Sequence, residues 1–161
     1  MINAVQIAAA LLLVLLNGFF VAAEFSLARA RVTRLDQLAE SGRSSAVLAR
    51  DQVRHIDRYL AACQLGITLA SLGLGWLGEP AFAHIMEPLF EAVGLGESAS
   101  ALTAIILAFI IITVLHVVIG ELAPKTVAIQ RAEPTALAVA RPHELFRLIF
   151  SPIIWVKNGA G

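Results

Sequence analysis

The sequence predicts an all-α integral membrane protein with three transmembrane helices, on three observations. First, 58% of the 161 residues are hydrophobic and only 15% are charged, whereas a soluble domain carries roughly 25% charge. Second, three apolar runs are long enough to cross a bilayer, whose hydrocarbon core of about 30 Å needs about 20 residues of helix. Third, the twelve Lys and Arg residues all avoid the segment between the second and third runs.

The runs cover about residues 2–28, 59–78 and 99–120. From Ile2 to Ala23 the first is interrupted only by Asn3, Gln6 and Asn17. It does not read as a cleaved signal peptide, because no basic stretch precedes it, the apolar run is too long, and arginines follow it. Arg29, Arg31, Arg34, Arg43, Arg50, Arg54 and Arg58 lie between the first two spans, and Lys125, Arg131, Arg141, Arg147 and Lys157 follow the third. The intervening segment carries Glu79, Glu87, Glu91 and Glu97 instead. The positive-inside rule then puts the N-terminus outside and the C-terminus in the cytoplasm, for a multi-pass protein of the plasma (inner) membrane.

The connections have patterns of their own. Residues 32–58 read as a cytosolic helical hairpin: Leu35, Leu38 and Ala39 fall at helical spacing before a stop at Gly42. Ser44 or Ser45 can cap the second helix, where Val47, Leu48, Ile56 and Tyr59 recur among arginines. A solvated helix pair is the plain reading, and its arginines can also meet anionic headgroups. Residues 80–93 read as an extracellular lid helix with Phe82, Ile85, Met86, Leu89 and Phe90 on its apolar side. After Gly120, Pro124 predicts a helix break. Pro134 then opens a juxtamembrane helix over about 133–157, kinked at Pro142, too polar to span and amphipathic enough to lie in the interface.

Polar residues inside the spans are the candidates for function, since an ionisable group at the bilayer centre costs at least about 2.5 kcal/mol. Glu24 sits near the basic end of the first span, with Asn17 seven residues earlier on nearly the same face. Gln64, Thr68, Ser71 and Gly75 form one stripe in the second span. Thr113, His116 and Gly120 form another in the third, ending at Glu121. Each also has a plainer reading. Gly18, Ala22 and Ser26 make a small-residue packing ridge; Thr68 and Thr113 bond their own helix; His116 is a packed interior histidine; Glu24 pairs with Arg29 or Arg31; Lys125 snorkels to headgroups. Glu121 stands apart, because Gly120 and Pro124 predict interrupted helix whose free carbonyls are good cation ligands. The donors are hard oxygens, which suit Mg²⁺ or Ca²⁺, with Na⁺ and H⁺ also open. Cys63 and His116 stand isolated in the sequence, with no Cys/His cluster for zinc or copper.

Other classes lack support. There are no basic tracts interleaved with aromatics for nucleic acid. Neither a His-Glu-x-x-His nor a Gly-x-Ser-x-Gly motif is present, so no enzyme is expected. The lone Cys63 makes no disulfide framework. A dimerising scaffold, whose polar stripes only glue helices together, is the alternative to ion transport.

Three motifs together are specific. Asn17-Gly18-Phe19-Phe20-Val21-Ala22-Ala23-Glu24-Phe25-Ser26-Leu27, Gly66-Ile67-Thr68-Leu69-Ala70-Ser71-Leu72-Gly73-Leu74-Gly75-Trp76 and Gly120-Glu121-Leu122-Ala123-Pro124-Lys125 resemble, in order, the membrane domain of the CNNM/CorC family. The resemblance implies a homodimeric Mg²⁺ transporter exporting Mg²⁺ against Na⁺ inflow, with three spans, a cytosolic helix pair and a juxtamembrane belt helix. It places the ion site on Ser26, Ser71, Gly120 and Glu121, with Glu24 and Asn17 less firmly carried over. The family continues into paired cytosolic CBS domains that bind ATP. This chain ends at Gly161, so the resemblance implies a piece of a longer protein, and no nucleotide regulation is assigned to it.

Overall fold

The structure, a computed structural model, describes residues 2–154; Lys157 and the rest of the expected 133–157 helix beyond 154 lie outside the described residues. The described residues are helical, with short turns and no strand. Three helical stretches are long and apolar enough to cross a membrane: Ala4–Arg29, Ile56–Ala92 and Glu97–Gln130.

The first span is α1 (Ile2–Arg29). A short pair follows, α2 (Val32–Glu40) and α3 (Ser44–Arg54). Gly42 ends α2 with φ +86. The Gly42 and Arg43 N–H groups close back onto the Ala39 and Leu38 carbonyls, a glycine C-terminal motif. The expected serine cap is absent. Arg43 is the N-cap of α3 and makes no side-chain cap bond, while Ser44 Oγ accepts from Arg141 Nη2 at 2.8 Å. Asp36 of α2 takes both Arg50 and Arg54 of α3, at 3.4 and 3.1 Å.

The second span is longer than the sequence suggested. α4 runs unbroken over Ile56–Ala92, 37 residues, so the segment 80–93 continues this helix instead of forming a separate lid. Pro80 and Pro88 each withhold one N–H from the ladder, yet packing holds the helix together. Gly78 sits against Ile112 and Ala10, and Ala83, flanked by Phe82, Met86 and Phe90, packs on Ala104 and Ala108. Ile85 and Leu89 of the expected apolar side remain exposed. Gly94 (φ +87) then turns the chain.

The third span is α5 (Glu97–Leu115), a π-helical segment (His116–Leu122) and α6 (Ala123–Gln130). Instead of breaking at Gly120, the helix widens. Pro124 falls in the first turn of α6, where its fixed φ is tolerated. Its missing N–H leaves a carbonyl of the preceding turn without that partner, Gly120 in an α register and Ile119 in the π register.

Finally α7 (Ala132–Ile149) crosses back over the others. Ala132, Ala136, Val139, Ala140 and His143 form its buried face. α1 is the hub, packing on α4, the π segment, α6 and α7. The helix pair is not merely solvated. Leu35 and Ala49 join Leu27, Tyr59, Ala136 and Ala140 in one cluster, and buried Gln52 donates to the Ala140 carbonyl at 2.8 Å.

Candidate ion site

Close approach of backbones sets the geometry. A Cβ on Gly18 would lie 2.9 Å from Pro124 Cγ and 3.3 Å from the Ile119 carbonyl. On Gly120 it would lie 3.3 Å from the Val14 carbonyl, and on Gly66 2.5 Å from the Phe20 ring. Only glycines let α1 lie this tightly between the second and third spans.

Within that contact, Asn17 is 2% exposed. Its Nδ2 donates to the Gly120 carbonyl at 2.9 Å. Ser71 Oγ donates to Asn17 Oδ1 at 3.4 Å and lies 3.4 Å from His116 Nε2. Assigning the Nε2–H tautomer to His116 makes one directed chain: His116 to Ser71, Ser71 to Asn17, Asn17 to Gly120. Side chains from all three spans thus meet, two of the three bonds being at the weak end of the range.

Beside this chain lies a cavity of about 270 Å³, with Asn17, Glu24, Ser71, His116 and Glu121 on its wall. Asn17, Val21, Glu24 and Phe25 are its α1 contributions, spaced along one helix face. The π segment places His116 and Glu121 together. Residues five apart stand about 140° apart in an α-helix, whereas i→i+5 bonding stacks them. Ser71 and His116 also line a smaller cavity of about 160 Å³ with Gly75, Glu79 and Thr113, so the pair stands between two hollows. Among the described residues, no three His, Cys, Asp or Glu side chains cluster around a metal position. The donor set of the larger cavity is therefore mostly oxygen: two carboxylates, an amide and a hydroxyl.

The sequence-expected residues divide. Asn17, Glu24, Ser71 and Glu121 converge on the cavity, and the Gly120 carbonyl joins them through Asn17. Ser26 does not. It is fully buried, its Oγ donates to the Ala23 carbonyl at 3.1 Å, and nine residues from Asn17 put it about 180° around α1. Thr68 Oγ1 bonds the Gln64 carbonyl at 2.8 Å, as its plainer reading had it, and Thr68 and Gln64 are both exposed. Lys125 Nζ lies 4.6 Å from the Phe25 ring centroid. His116 was read as packing and is a wall of both cavities.

Cys63 is not isolated either. Its Sγ lies 3.3 Å from His143 Nε2 of α7, both residues being fully buried. Next to them Glu144 accepts from Tyr59 Oη at 2.8 Å and from Arg147 Nε and Nη2 at 2.9 and 2.7 Å. Those bonds hold the Glu144 carboxyl below its usual range, while burial depresses His143 to about 4.

Residues 7–161 match the family described as the cyclin M transmembrane N-terminal domain, CNNM. The chain belongs to the CNNM family. UPF0053 protein YhdT of Bacillus subtilis (strain 168) is 53% identical over 148 residues, 92% of this chain and 32% of that protein. UPF0053 protein YugS of the same organism is 47% identical over 155 residues, 96% of this chain and 36% of the relative. An uncharacterized protein of Mycobacterium tuberculosis (strain ATCC 25618 / H37Rv), Rv1841c, is 38% identical over 149 residues, 92% of this chain and 42% of its own length. The chain spans 32–36% of the length of the two Bacillus relatives. This CNNM domain is thus a membrane protein with three apolar spanning helices.

Proposed function

We propose that this CNNM domain is the membrane part of a Mg²⁺ transporter and that the ion passes through the cavity between the three spans. The observation that carries the reading is the pair Glu24 and Glu121 on one cavity wall with Asn17 and Ser71. Mg²⁺ takes oxygen ligands and gives up water reluctantly. Two carboxylates offset its charge, while neutral oxygens replace part of its hydration. At about 30 Å³ per water the cavity has room for about nine, enough for an ion keeping several.

Asn17 is the pivot of the proposal. Swinging its amide away releases the Gly120 carbonyl and the Ser71 hydroxyl together, so that an arriving ion finds both. Ser26, which the resemblance puts among the ligands, enters the set only in a state where α1 has turned. Export of Mg²⁺ against Na⁺ inflow, a homodimer, an outside N-terminus in the plasma (inner) membrane, and CBS domains in the longer protein complete the proposal. In that orientation the Glu79 end of the smaller cavity faces outward, and Lys125 and the arginines mark the cytoplasmic side.

Flux into liposomes under imposed Mg²⁺ and Na⁺ gradients tests it. Glu121→Ala and Ser71→Ala each abolish Mg²⁺ flux in protein that still folds; wild-type flux in both variants would sink the reading. A dimerising scaffold predicts no Mg²⁺-specific rise in Tm, whereas a bound ion raises Tm by mass action.

A further inference from the structure

A larger cavity lies where the spans end. It encloses about 590 Å³ and is lined by Arg29, Arg31, Thr33, Arg34, Gln130 and Glu133, among others. Two junctions build it. α1 stops at Arg29 and α2 starts at Val32, while α6 stops at Gln130 and α7 starts at Ala132. The Arg31 N–H donates to Glu133 Oε1 at 3.3 Å and ties one junction to the other.

Three arginines therefore line one hollow with a single acidic residue. Among the described residues none of the three forms an ion pair, and the partner of Arg34 is the neutral Gln37 amide at 3.0 Å. The same loop neutralises arginines elsewhere, with Arg50 and Arg54 sharing Asp36. All three are exposed, so water screens their repulsion, while an anion seated among them would gain from all three at once. Neither α2 nor α7 carries a side-chain N-cap, and first-turn residues of both, Thr33 and Glu133, line the hollow. The C-termini of α1 and α6 end at the same hollow, so the four helix dipoles largely offset one another and the arginines supply the positive field.

We propose that this cavity binds a phosphate group, with Arg29, Arg31 and Arg34 as its cationic wall and Thr33 as a hydroxyl donor. Guanidinium forks suit phosphate because its several oxygens accept paired N–H bonds from more than one side. A carboxylate has only two oxygens to divide among three forks. Both a lipid phosphomonoester headgroup and soluble phosphate carry this chemistry. The site is independent of the ion cavity, since the two share no wall residue.

Thermal unfolding of the chain in phosphatidylcholine nanodiscs tests the proposal in two arms. One adds inorganic phosphate at constant ionic strength; the other replaces part of the lipid with phosphatidic acid. Tm rises in at least one arm, and the double variant Arg31→Gln/Arg34→Gln weakens the response at least about tenfold. The variant keeps the Arg31 backbone bond to Glu133, so the junction itself survives. The control pair Arg43→Gln/Arg58→Gln, elsewhere on the same loop, keeps the full response. A response to phosphate alone identifies a soluble ligand, and one to phosphatidic acid alone a headgroup. No response in either arm, an undiminished response in Arg31→Gln/Arg34→Gln, or an equal loss in the control pair would overturn it.

Discussion

Two of the polar clusters that bridge helices, around Glu144 and around Asn17, are built to opposite ends. Around Glu144 the bonds are short and the side chains covered. Tyr59 and Arg147 both donate to one carboxylate at 2.7–2.9 Å, and His143 and Cys63 meet beneath them at 3.3 Å. Around Asn17 the chain of bonds stretches to 3.4 Å at Ser71, and a cavity opens beside it. The tightly paired Glu144 carboxylate fixes α7 on the spans, although buried His143 Nδ1 beside it has no partner among the described residues. A loosely paired cluster leaves oxygens that a cation can take, because little is lost when the existing bonds are exchanged. The difference separates a fastener from a site.

Crossed substitutions break or sharpen that contrast, and the largest effect is on transport. Asn17→Leu removes the amide that links Gly120 to Ser71, so Mg²⁺ flux falls to background. Hydrogen bonds between membrane helices contribute only about 0.6–1.7 kcal/mol, so its Tm barely moves. Glu144→Ala should do the reverse. It strands Tyr59 Oη and a guanidinium only 13% exposed, at a cost of about 3 kcal/mol, while flux per folded molecule stays unchanged. If both variants lose the same property, the two clusters do not differ in kind.

A smaller effect appears only in acid. Burial holds His143 near 4 in the fold, against about 6.5 in an unfolded chain. Because the folded value is depressed, stability is complete above about pH 6.5 and declines as pH falls toward 4. Glu144, with a carboxyl also held low, contributes its loss only below the usual carboxylate range. Between about pH 6.5 and 4.5 the decline therefore belongs to His143. His143→Phe flattens Tm against pH in that window; a slope equal to wild type would assign the decline to other groups.

Much of this was legible in the sequence, for physical reasons that differ by element. Apolar length gives three spans whatever they pack against, and Gly42 ends α2 because its positive φ is a local requirement. Asn17 and Glu24 were matched by counting along one regular helix. The same counting turns Ser26, nine residues on, to the far side of α1; its place among the ligands comes from the family resemblance alone. A line of Thr113, His116 and Gly120 reads as ending at Glu121, but His116 and Glu121 share a face only where the helix widens to a π segment, which no period of 3.6 reports. Pro80 reads as a terminator locally, but packing of Gly78 and Ala83 on neighbouring spans overrides it. The Cys63–His143 contact joins residues 80 apart in sequence, and neither residue advertises the other.

The smallest expected effect compares two glycines. Gly18 and Gly75 both lie inside spanning helices, where glycine costs roughly 0.5–1 kcal/mol relative to alanine. At Gly18 the new methyl meets Pro124 Cγ at 2.9 Å, whereas at Gly75 it meets nothing within 4 Å. Gly75→Ala should therefore raise Tm slightly, and Gly18→Ala should lower it. The same pair reports on association. Gly75 lies on an exposed face of α4 beside Trp76, itself 80% exposed, where a second subunit has access. Packing of that subunit closer than one methyl would reverse the sign at Gly75, and the loss would grow with dilution. Unfolding of both variants at two protein-to-lipid ratios separates an open face from a covered one.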